Sequence, residues 1–358
     1  MKKKILTILG TRPELIKMFP IIHKLDKSFH NKLVWSGQHY DFSMVKQNFQ
    51  DLKVRKPNIE IKINKKDNVF FQIQRKIYNL ILKEKPYAII YHGDTYTTLA
   101  TSMITNYFFP NVKRIHIEGG YRSGDISQIE EKCRTISDYL SNLIFVTRKE
   151  EKSNLLKENL KSKIFIVGNS IFEAVNIIKK RILKNRKNFN QNNYPKEFVY
   201  VTIHRSENVD DKIRLKKIVN IVNFLSLTNK VIFPVHPRTK KNLKKNKFSF
   251  NKNVNLINPV KYTESIKLIA KSIFCFTDSG GIQEEAIILK KRCLIPSNKT
   301  PHSFYLNKKA NQLLDLRNKN FMSKIKVFKR SILNKEFKKF SHQGNTSNLI
   351  IKSIKKFL

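Results

Sequence analysis

The sequence has few cysteines and no long apolar runs, and each shortage excludes a class of protein. The three cysteines, Cys133, Cys275 and Cys293, are far apart and odd in number. They therefore predict buried free thiols in a reducing compartment and not a disulfide framework. The apolar run Ile5–Leu9 is too short for a signal peptide, and no stretch is long enough to span a membrane. We expect a cytoplasmic protein without membrane insertion.

Acidic residues are also scarce, at 27 Asp+Glu against 71 Lys+Arg, which gives a formal net charge of +44. Such a charge is typical of a nucleic-acid binder, but it also follows from the lysine-rich composition that an AT-rich genome produces. The basic residues are spread along the chain, and the densest run, Lys240–Lys247, resembles a solvated helix face. This distribution favours the compositional explanation, so we expect no nucleic-acid partner. A diffuse positive field would still attract an anionic substrate.

Two further absences concern cofactors. The sequence contains no G-x-G-x-x-G fingerprint, so it does not indicate a nicotinamide or flavin cofactor. It also contains no set of His, Asp and Glu with metal-ligand spacing. We expect a protein that works without metal or redox cofactor.

Short apolar runs alternate with longer amphipathic stretches along most of the 358 residues. Strand–helix alternation predicts an α/β protein with parallel sheets covered by helices on both faces. A break at Asn188–Pro195 separates two such series, which gives two Rossmann-like domains with a cleft between them. We assign residues 1–170 to the first domain and 171–345 to the second. A last helix over residues 346–358 is predicted to pack back on the first domain. The predicted strands are Lys4–Leu9, Lys32–Trp35, Ile59–Ile63, Tyr87–Tyr91, Arg114–Ile117, Leu143–Val146, Lys163–Val167, Phe198–Ile203, Lys230–Val235, Val254–Ile257, Ile273–Phe276 and Arg292–Ile295.

Polar clusters follow seven of these strands. In open α/β sheets, ligands bind beyond the carboxyl ends of the strands, so the clusters predict one polar cleft. The clusters are Gly10–Glu14, Ser36–His39, His92–Thr95, His116–Gly120, His204–Asn208, His236–Arg238 and Thr277–Glu285.

Two of the clusters suit a phosphate. Ser279, Gly280 and Gly281 open a helix just after a strand, where free N–H groups and two glycines would admit a diphosphate, although a tight turn is the alternative. Glu285, one turn further, could accept hydrogen bonds from a ribose, or it could be an ordinary exposed carboxylate. Arg12 lies at a helix start, where a cation is unfavourable unless it binds an anion.

Three acids stand out in a chain that has few of them: Asp94, Glu118 and Glu130. Asp94 and Glu118 end strands that are predicted neighbours, so their carboxylates could face one pocket. Crowded carboxylates raise one another's pKa, which would equip them for proton transfer. The alternative is a set of helix caps and ion pairs, and spacing alone does not decide between the two. His204 and His236 are possible acids or phosphate partners, or packed structural histidines.

Taken together, the motifs resemble those of the non-hydrolysing UDP-N-acetylglucosamine 2-epimerases from about residue 4 to residue 315. The matching segments are Gly10–Lys17, Ser36–His39, Gly93–Thr95, His116–Ser123, Glu130–Arg134, Val167–Asn169, His204–Asn208, His236–Thr239 and Asp278–Ala286. Each segment alone is a weak signal, but the set in this order is specific.

The resemblance implies two Rossmann-like domains in the GT-B arrangement, with the active site in the interdomain cleft. It implies interconversion of UDP-N-acetylglucosamine and UDP-N-acetylmannosamine by elimination and re-addition of UDP through a 2-acetamidoglucal. It also implies a homodimer that supplies precursors for surface polysaccharide. The implied acid/base and leaving-group residues are Asp94, Glu118, Glu130 and His204. The implied substrate and UDP contacts are Arg12, Lys17, Arg134, His236, Ser279, Gly280, Gly281 and Glu285. Gln38 and His39 match a region that binds a second, activating substrate molecule in bacterial members.

The sequence departs from the family pattern in several places. Ile129 and Cys133 replace the usual Pro and Asn, and Gly119 and Tyr121 replace the usual Ala and Leu. The largest change covers residues 297–304, where the family usually has Arg-x-x-Thr-Glu-Arg-Pro-Glu and this chain keeps only Thr300. The loss of these charge-assisted contacts predicts weaker UDP binding, or a preference for another nucleotide sugar such as a UDP-diacetamido uronic acid. A relative that binds nucleotide sugars without turnover is a further alternative.

Overall fold

The structure, a computed structural model, describes residues 2–38, 42–64, 67–184, 194–300, 310–318, 320–332 and 344–358. The chain forms two compact units. Unit 1 is Met1–Ala174 with His342–Leu358, and unit 2 is Val175–Ser341.

Unit 1 is built around a seven-stranded sheet in which every pairing is parallel. Its elements are β1 (Lys4–Leu9), α1 (Arg12–Ser28), β2 (His30–Trp35), α2 (Phe42–Leu52), β3 (Ile59–Glu60), α3 (Val69–Glu84), β4 (Ala88–His92), α4 (Tyr96–Phe108), β5 (Lys113–Ile117), α5 (Ile129–Tyr139), β6 (Leu143–Val146), α6 (Lys149–Lys157), β7 (Lys163–Ile166) and the first turn of α7 (Ser170–Lys184), whose remainder belongs to unit 2. The strand order is β3-β2-β1-β4-β5-β6-β7.

The central strands of unit 1 are covered on both faces, as their apolar sequences predict. All five residues of β4 are buried, and Leu6, Ile8 and Ile89 belong to one buried cluster. The C-terminal helix α14 (Thr346–Phe357) packs against α1, and Glu173 accepts a 2.8 Å hydrogen bond from the Ser347 backbone N–H.

Unit 2 is built around a six-stranded sheet, also parallel throughout. Its elements are β8 (Phe198–Thr202), α8 (Ser206–Val209), α9 (Lys212–Ser226), β9 (Lys230–Pro234), α10 (Pro237–Lys245), β10 (Val254–Ile257), α11 (Tyr262–Lys271), β11 (Cys275–Thr277), α12 (Gly280–Ile288), β12 (Cys293–Ile295), β13 (Asn311–Leu313) and α13 (Phe321–Ile332). The strand order is β10-β9-β8-β11-β12-β13, and Val201, Phe233 and Phe276 lie in its largest buried cluster.

Both sheets have the Rossmann strand order, in which the direction of winding reverses once. In unit 1 the reversal lies between β1 and β4, and in unit 2 it lies between β8 and β11. The predicted α/β fold with two Rossmann-like domains is confirmed. Ligand sites in such sheets lie at the reversal, so the loops after these four strands are where a site is expected.

The predicted strands differ from the observed ones mainly at their ends. β1, β6 and β10 have the predicted bounds, whereas β11 begins at Cys275 and not at Ile273. β13 was missed, because Asn311–Leu313 is a three-residue edge strand without an alternating apolar pattern. Across the parts of the chain that the structure describes, no helix combines the length and apolarity needed to cross a bilayer.

Candidate active site

A pocket of about 340 Å³ opens in unit 1 at the carboxyl ends of its central strands. Asp94 and Glu118, which follow β4 and β5, line it together with Lys17 of α1 and Glu130 of α5. The structure thus brings together all three acids that the sequence singled out. Since the pocket lies at the reversal of strand order, it has the position expected of a ligand site.

The start of α1 forms one wall of this pocket. Thr11 caps the helix, and the Glu14 carboxylate accepts a 2.7 Å hydrogen bond from the Thr11 N–H. The predicted capping box is therefore present. Glu14 is buried, and burial raises the pKa of its carboxyl although Gly10, Thr11 and Thr95 donate hydrogen bonds to it. A Cβ at Gly10 would stand 2.1 Å from Thr97 Oγ1, so this turn requires glycine.

Glu118 faces two basic groups in the pocket. Its Oε1 accepts a 2.5 Å hydrogen bond from Lys17 Nζ, and its Oε2 lies 3.3 Å from His92 Nε2. Burial opposes the charged form, but the Lys17 ammonium and His92 outweigh it and hold the pKa of Glu118 well below its usual range. The expectation that crowded acids raise one another's pKa is therefore wrong for Glu118, because the Lys17 ammonium is hydrogen-bonded to its carboxylate.

The backbone at Glu118 directs this side chain into the pocket. Glu118 has a φ of 67°, in the left-handed region that residues other than glycine rarely adopt. The N–H groups of Glu118 and Gly119 both donate to the carbonyl of Phe145 on β6, at 3.0 and 3.1 Å. These two hydrogen bonds to one carbonyl fix a sharp turn at the end of β5. Backbone strain of the kind that a positive φ brings is found at functional sites.

Asp94 is held by Arg134 of α5. The Arg134 guanidinium donates one hydrogen bond to Asp94 Oδ2 and another, of 2.6 Å, to Glu131 Oε2. It also lies 4.7 Å from the centre of the Tyr121 ring. Glu131 is buried and accepts hydrogen bonds from the backbone N–H groups of Ser123 and Gly124. In this structure Arg134, expected from the resemblance to contact substrate, orients one of the pocket's acids.

Glu130 and Cys133 lie on the first turns of α5 at the mouth of the pocket. Glu130 is exposed, whereas Cys133 is buried. Burial, together with the nearby charges of Asp94 and Glu130, raises the pKa of the Cys133 thiol to about 12. Cys133 is therefore a neutral lining group and not a nucleophile at neutral pH.

The remaining predicted residues of unit 1 have different positions. Gln38 lines the pocket, and its Oε1 accepts hydrogen bonds from the N–H and hydroxyl of Thr97 at 2.9 and 2.8 Å. Arg12 is half-buried at the first position of α1 and is not among the residues that line the pocket. His39 lies outside the described residues.

A second polar cluster lies at the reversal of strand order in unit 2. Asp278, directly after β11, is 1% exposed and accepts hydrogen bonds from the backbone N–H groups of His204 and Arg205 at 3.0–3.1 Å. Its Oδ1 also lies 3.4 Å from His204 Nδ1. His204, 40% exposed, thus has a carboxylate behind it and presents the rest of its ring outward.

His236 stands beside His204, with 5.7 Å between the ring centres. Burial lowers the pKa of His236, and the neighbouring charges of His204 and Arg238 lower it further. Its Nδ1 accepts a 3.3 Å hydrogen bond from the Arg238 N–H at the start of α10. A neutral ring with an accepting Nδ1 carries its proton on Nε2, which can donate to an anion.

The glycine pair begins α12, as the sequence predicted. Ser279 is the N-cap, and Gly280 and Gly281 form the first turn, whose N–H groups have no partner within the helix. Glu285 is 5% exposed and so is not an ordinary surface carboxylate. Of the altered segment 297–304, Thr300 donates a 2.8 Å hydrogen bond to Gln283 of α12, which ties the described part of the segment to this helix. Residues 301–304 lie outside the described residues.

Sequence reasoning did not assign roles to three residues that the structure places in these clusters. His92 is buried against Glu118, Asp278 supports His204, and Glu131 anchors Arg134. His92 and Asp278 were visible as polar residues at strand ends, but their partners are distant in sequence. Within the described residues, no group of three His, Cys, Asp or Glu is arranged to hold a metal ion. Independence of metal stays a prediction.

Comparison with known proteins gives a consistent result. Residues 23–355 match the protein-family model described as UDP-N-acetylglucosamine 2-epimerase. The chain is 38% identical over 306 residues to a UDP-N-acetylglucosamine 2-epimerase of Methanocaldococcus jannaschii, covering 81% of this chain and 82% of that protein. It is 31% identical over 305 residues to a UDP-2,3-diacetamido-2,3-dideoxy-D-glucuronate 2-epimerase of Pseudomonas aeruginosa, covering 83% and 84%.

A solved structure agrees with the sequence match. The crystal structure of the Methanocaldococcus jannaschii UDP-GlcNAc 2-epimerase, in complex with UDP-GlcNAc and UDP, matches with a TM-score of 0.87 at 34% identity. The match covers 99% of both chains. Together with the two parallel sheets, it confirms the predicted GT-B-like α/β fold class.

Proposed function

Because this chain belongs to the UDP-N-acetylglucosamine 2-epimerase family, we propose that it is an isomerase that interconverts UDP-N-acetylglucosamine and UDP-N-acetylmannosamine. One observation carries the proposal most directly. The pocket of unit 1 holds Asp94, Glu118 and Glu130 around a single space, as acid/base chemistry at a sugar carbon requires.

The reaction proceeds in two halves. In the first, a carboxylate takes the proton from C2 while the bond between C1 and the diphosphate oxygen breaks, which leaves a 2-acetamidoglucal and UDP. In the second, UDP adds back at C1 and a proton returns to C2 on the opposite face. Glu118 suits the first role because it lines the pocket and Lys17 fixes the position of its carboxylate there. Asp94, fixed by Arg134, suits the transfer on the other face.

Unit 2 supplies the nucleotide contacts in this proposal. The N–H groups at Ser279, Gly280 and Gly281 bind the diphosphate, and the buried Glu285 accepts from the ribose. His204, backed by Asp278, stabilises the charge that develops on the departing diphosphate. His236 adds an N–H group to the same anion. Arg12, on α1 of unit 1, keeps its expected role as an anion contact.

The proposal requires no metal or redox cofactor, because helix N–H groups and cationic side chains already match the diphosphate charge. Activity that survives prolonged chelation would support this. Loss of activity on chelation with recovery in magnesium would contradict it.

A second substrate follows from a specific observation. The altered segment 297–304 has lost the family's two arginines and two glutamates, and its Thr300 contacts the helix that binds the diphosphate in our proposal. The Pseudomonas aeruginosa relative acts, by its name, on a UDP-diacetamido glucuronate. A UDP-diacetamido uronic acid is therefore the alternative substrate to test beside UDP-N-acetylglucosamine.

We further propose that the enzyme is a homodimer. Helices α3, α4 and α5 expose large apolar side chains, among them Phe71 at 65%, Tyr107 at 79% and Tyr139 at 54%. Exposed aromatic side chains on adjacent helices are typical of an interface. Light scattering should give twice the chain mass, and Tyr107→Lys should shift the measured mass toward that of a single chain.

We place the dimer in the cytoplasm, where the three buried free thiols of each chain stay reduced, and assign it to surface polysaccharide precursor synthesis.

Proton NMR of the purified protein with UDP-N-acetylglucosamine in deuterated water tests the proposal. We expect deuterium at C2 and the appearance of UDP-N-acetylmannosamine. A protein that only binds nucleotide sugars would shift substrate resonances without deuteration. Deuteration of the diacetamido uronic acid alone would select the alternative substrate.

A further inference from the structure

His116 is the second-last residue of β5, two residues before Glu118. Its side chain has no solvent exposure and lies between two hydrogen-bond acceptors. Its Nε2 is 2.8 Å from the carbonyl oxygen of Gly93, and its Nδ1 is 2.8 Å from Asp138 Oδ1. A carbonyl can only accept, so Nε2 carries a proton. If Asp138 is ionised, Nδ1 must carry one too.

The surroundings of Asp138 favour its ionised form. Asp138 Oδ2 accepts a 3.0 Å hydrogen bond from the Gly120 N–H and a 2.8 Å hydrogen bond from Arg122 Nη1. Burial opposes the charge, but His116 and Arg122 outweigh it, and the pKa of Asp138 is lowered. Arg122 in turn pairs with Glu158 at 2.7 Å, so its guanidinium is shared between two carboxylates.

The two residues connect the loops that carry two acids of the pocket. His116 holds the carbonyl of Gly93, whose φ of 69° makes the turn directly before Asp94. Asp138 holds the N–H of Gly120, which has a φ of 79° and lies two residues after Glu118. Neither His116 nor Asp138 is among the residues that line the pocket.

Gly119 makes the close approach possible. A Cβ at this position would stand 2.3 Å from Asp138 Oδ1 and 3.1 Å from His116 Nδ1.

We propose that His116 and Asp138 form a buried imidazolium–carboxylate pair that positions Asp94 and Glu118 for proton transfer. They are positioning residues, since they act through Gly93 and Gly120 and do not reach the pocket. The kinetic part of this inference rests on the proposed function, whereas the charge of the ring does not.

Nitrogen NMR of the full-length protein, labelled with ¹⁵N in the histidine rings, tests the charge. We expect both ring nitrogens of His116 to have the shifts of protonated nitrogen at pH 7.5. Asp138→Asn replaces the carboxylate beside this ring and so identifies its resonance among the nine histidines. A single bare nitrogen on the His116 ring at this pH would overturn the proposal.

Kinetics of Asp138→Asn and His116→Gln test the positioning. We expect kcat for C2 deuteration to fall by roughly ten- to hundredfold, because small displacements of acid/base groups cost about that much. KM should stay within about threefold, since the pair touches no proposed nucleotide contact. His30→Gln, at an exposed position at the start of β2, is the matched control and should change neither constant.

The outcomes separate the two ideas. If the variants melt at lower temperature but keep the wild-type kcat per folded enzyme, the pair is only structural and the proposal fails. If His116→Gln does not fold, Asp138→Asn carries the kinetic test alone. If the wild-type protein itself gives no deuteration, the proposed function fails, and the ring-nitrogen shifts still decide whether the charged pair exists.

Discussion

The two units share one topology but use it differently. In unit 1, the charged groups at the reversal of strand order neutralise one another: Lys17 pairs with Glu118, and Arg134 pairs with Asp94. In unit 2, the same place has two histidines, a buried aspartate and a glycine-rich helix start. In the proposed function, the first arrangement exchanges protons with the sugar, and the second offers N–H groups to the diphosphate. One fold thus supports two chemistries through its loops.

The largest expected effect comes from removing a carboxylate of unit 1. We expect Glu118→Gln to lower kcat for C2 deuteration by roughly a hundredfold or more, because the amide cannot accept the proton. The same assay applies to Asp94→Asn and Glu130→Gln. Glu150→Gln, an exposed acid on the first turn of α6, is the control and should keep the wild-type rate. Near-normal rates in all three pocket variants would show that the proposed chemistry is wrong.

In unit 2, the corresponding change is Asp278→Asn. This variant removes the charge behind His204, and a charge-assisted hydrogen bond contributes about 2 kcal/mol, so kcat should fall by roughly thirtyfold. Circular dichroism should show that the fold is kept. A normal kcat in the folded variant would mean that Asp278 supports the loop without affecting the departing diphosphate.

Lys17→Met tests how unit 1 controls proton affinity. The Lys17 ammonium lowers the pKa of Glu118, so its removal leaves only His92 to oppose burial and the pKa rises. Only the ionised carboxylate accepts the proton. As the solution is acidified, the variant should therefore lose activity at a higher pH than the wild-type protein does. The acid limb of kcat/KM should move up by about one pH unit, or tenfold in rate on that limb.

The control for this shift is Lys24→Met on the same helix, since Lys24 pairs with Glu173 at 3.4 Å and not with a pocket acid. If the acid limb lies at the same pH in Lys17→Met and Lys24→Met, the group whose titration limits the rate is not Glu118.

The smallest effect is expected at the altered segment of unit 2. Thr300→Val removes the 2.8 Å hydrogen bond to Gln283 and should weaken UDP binding by about three- to tenfold, measured by calorimetry. Thr228→Val removes an exposed hydroxyl in the loop before β9 and is the control. Low-micromolar UDP binding that is unchanged in Thr300→Val, and also in variants at Ser297 and Ser303, would show that this segment does not govern nucleotide affinity.

Much of the candidate site was predictable because its residues follow apolar strands. Asp94, Glu118, His204 and Ser279 each come one to three residues after a run that was read as a strand, and the structure places each at a carboxyl end. The pairing of charges was not predictable. Glu118 was expected beside other acids, yet Lys17, about one hundred residues earlier, lies 2.5 Å from it.

By itself, the sequence determined the two Rossmann-like folds and the family, because periodicity and motif order are local properties of the chain. Only the tertiary structure decided which charges meet. His92, His116 and Asp278 were ordinary polar residues in the sequence and became partners of Glu118, Asp138 and His204 in the fold. Coulombic and hydrogen-bond energies depend on distances of a few ångströms between groups far apart in sequence, and only the sheet order and the turns set those distances.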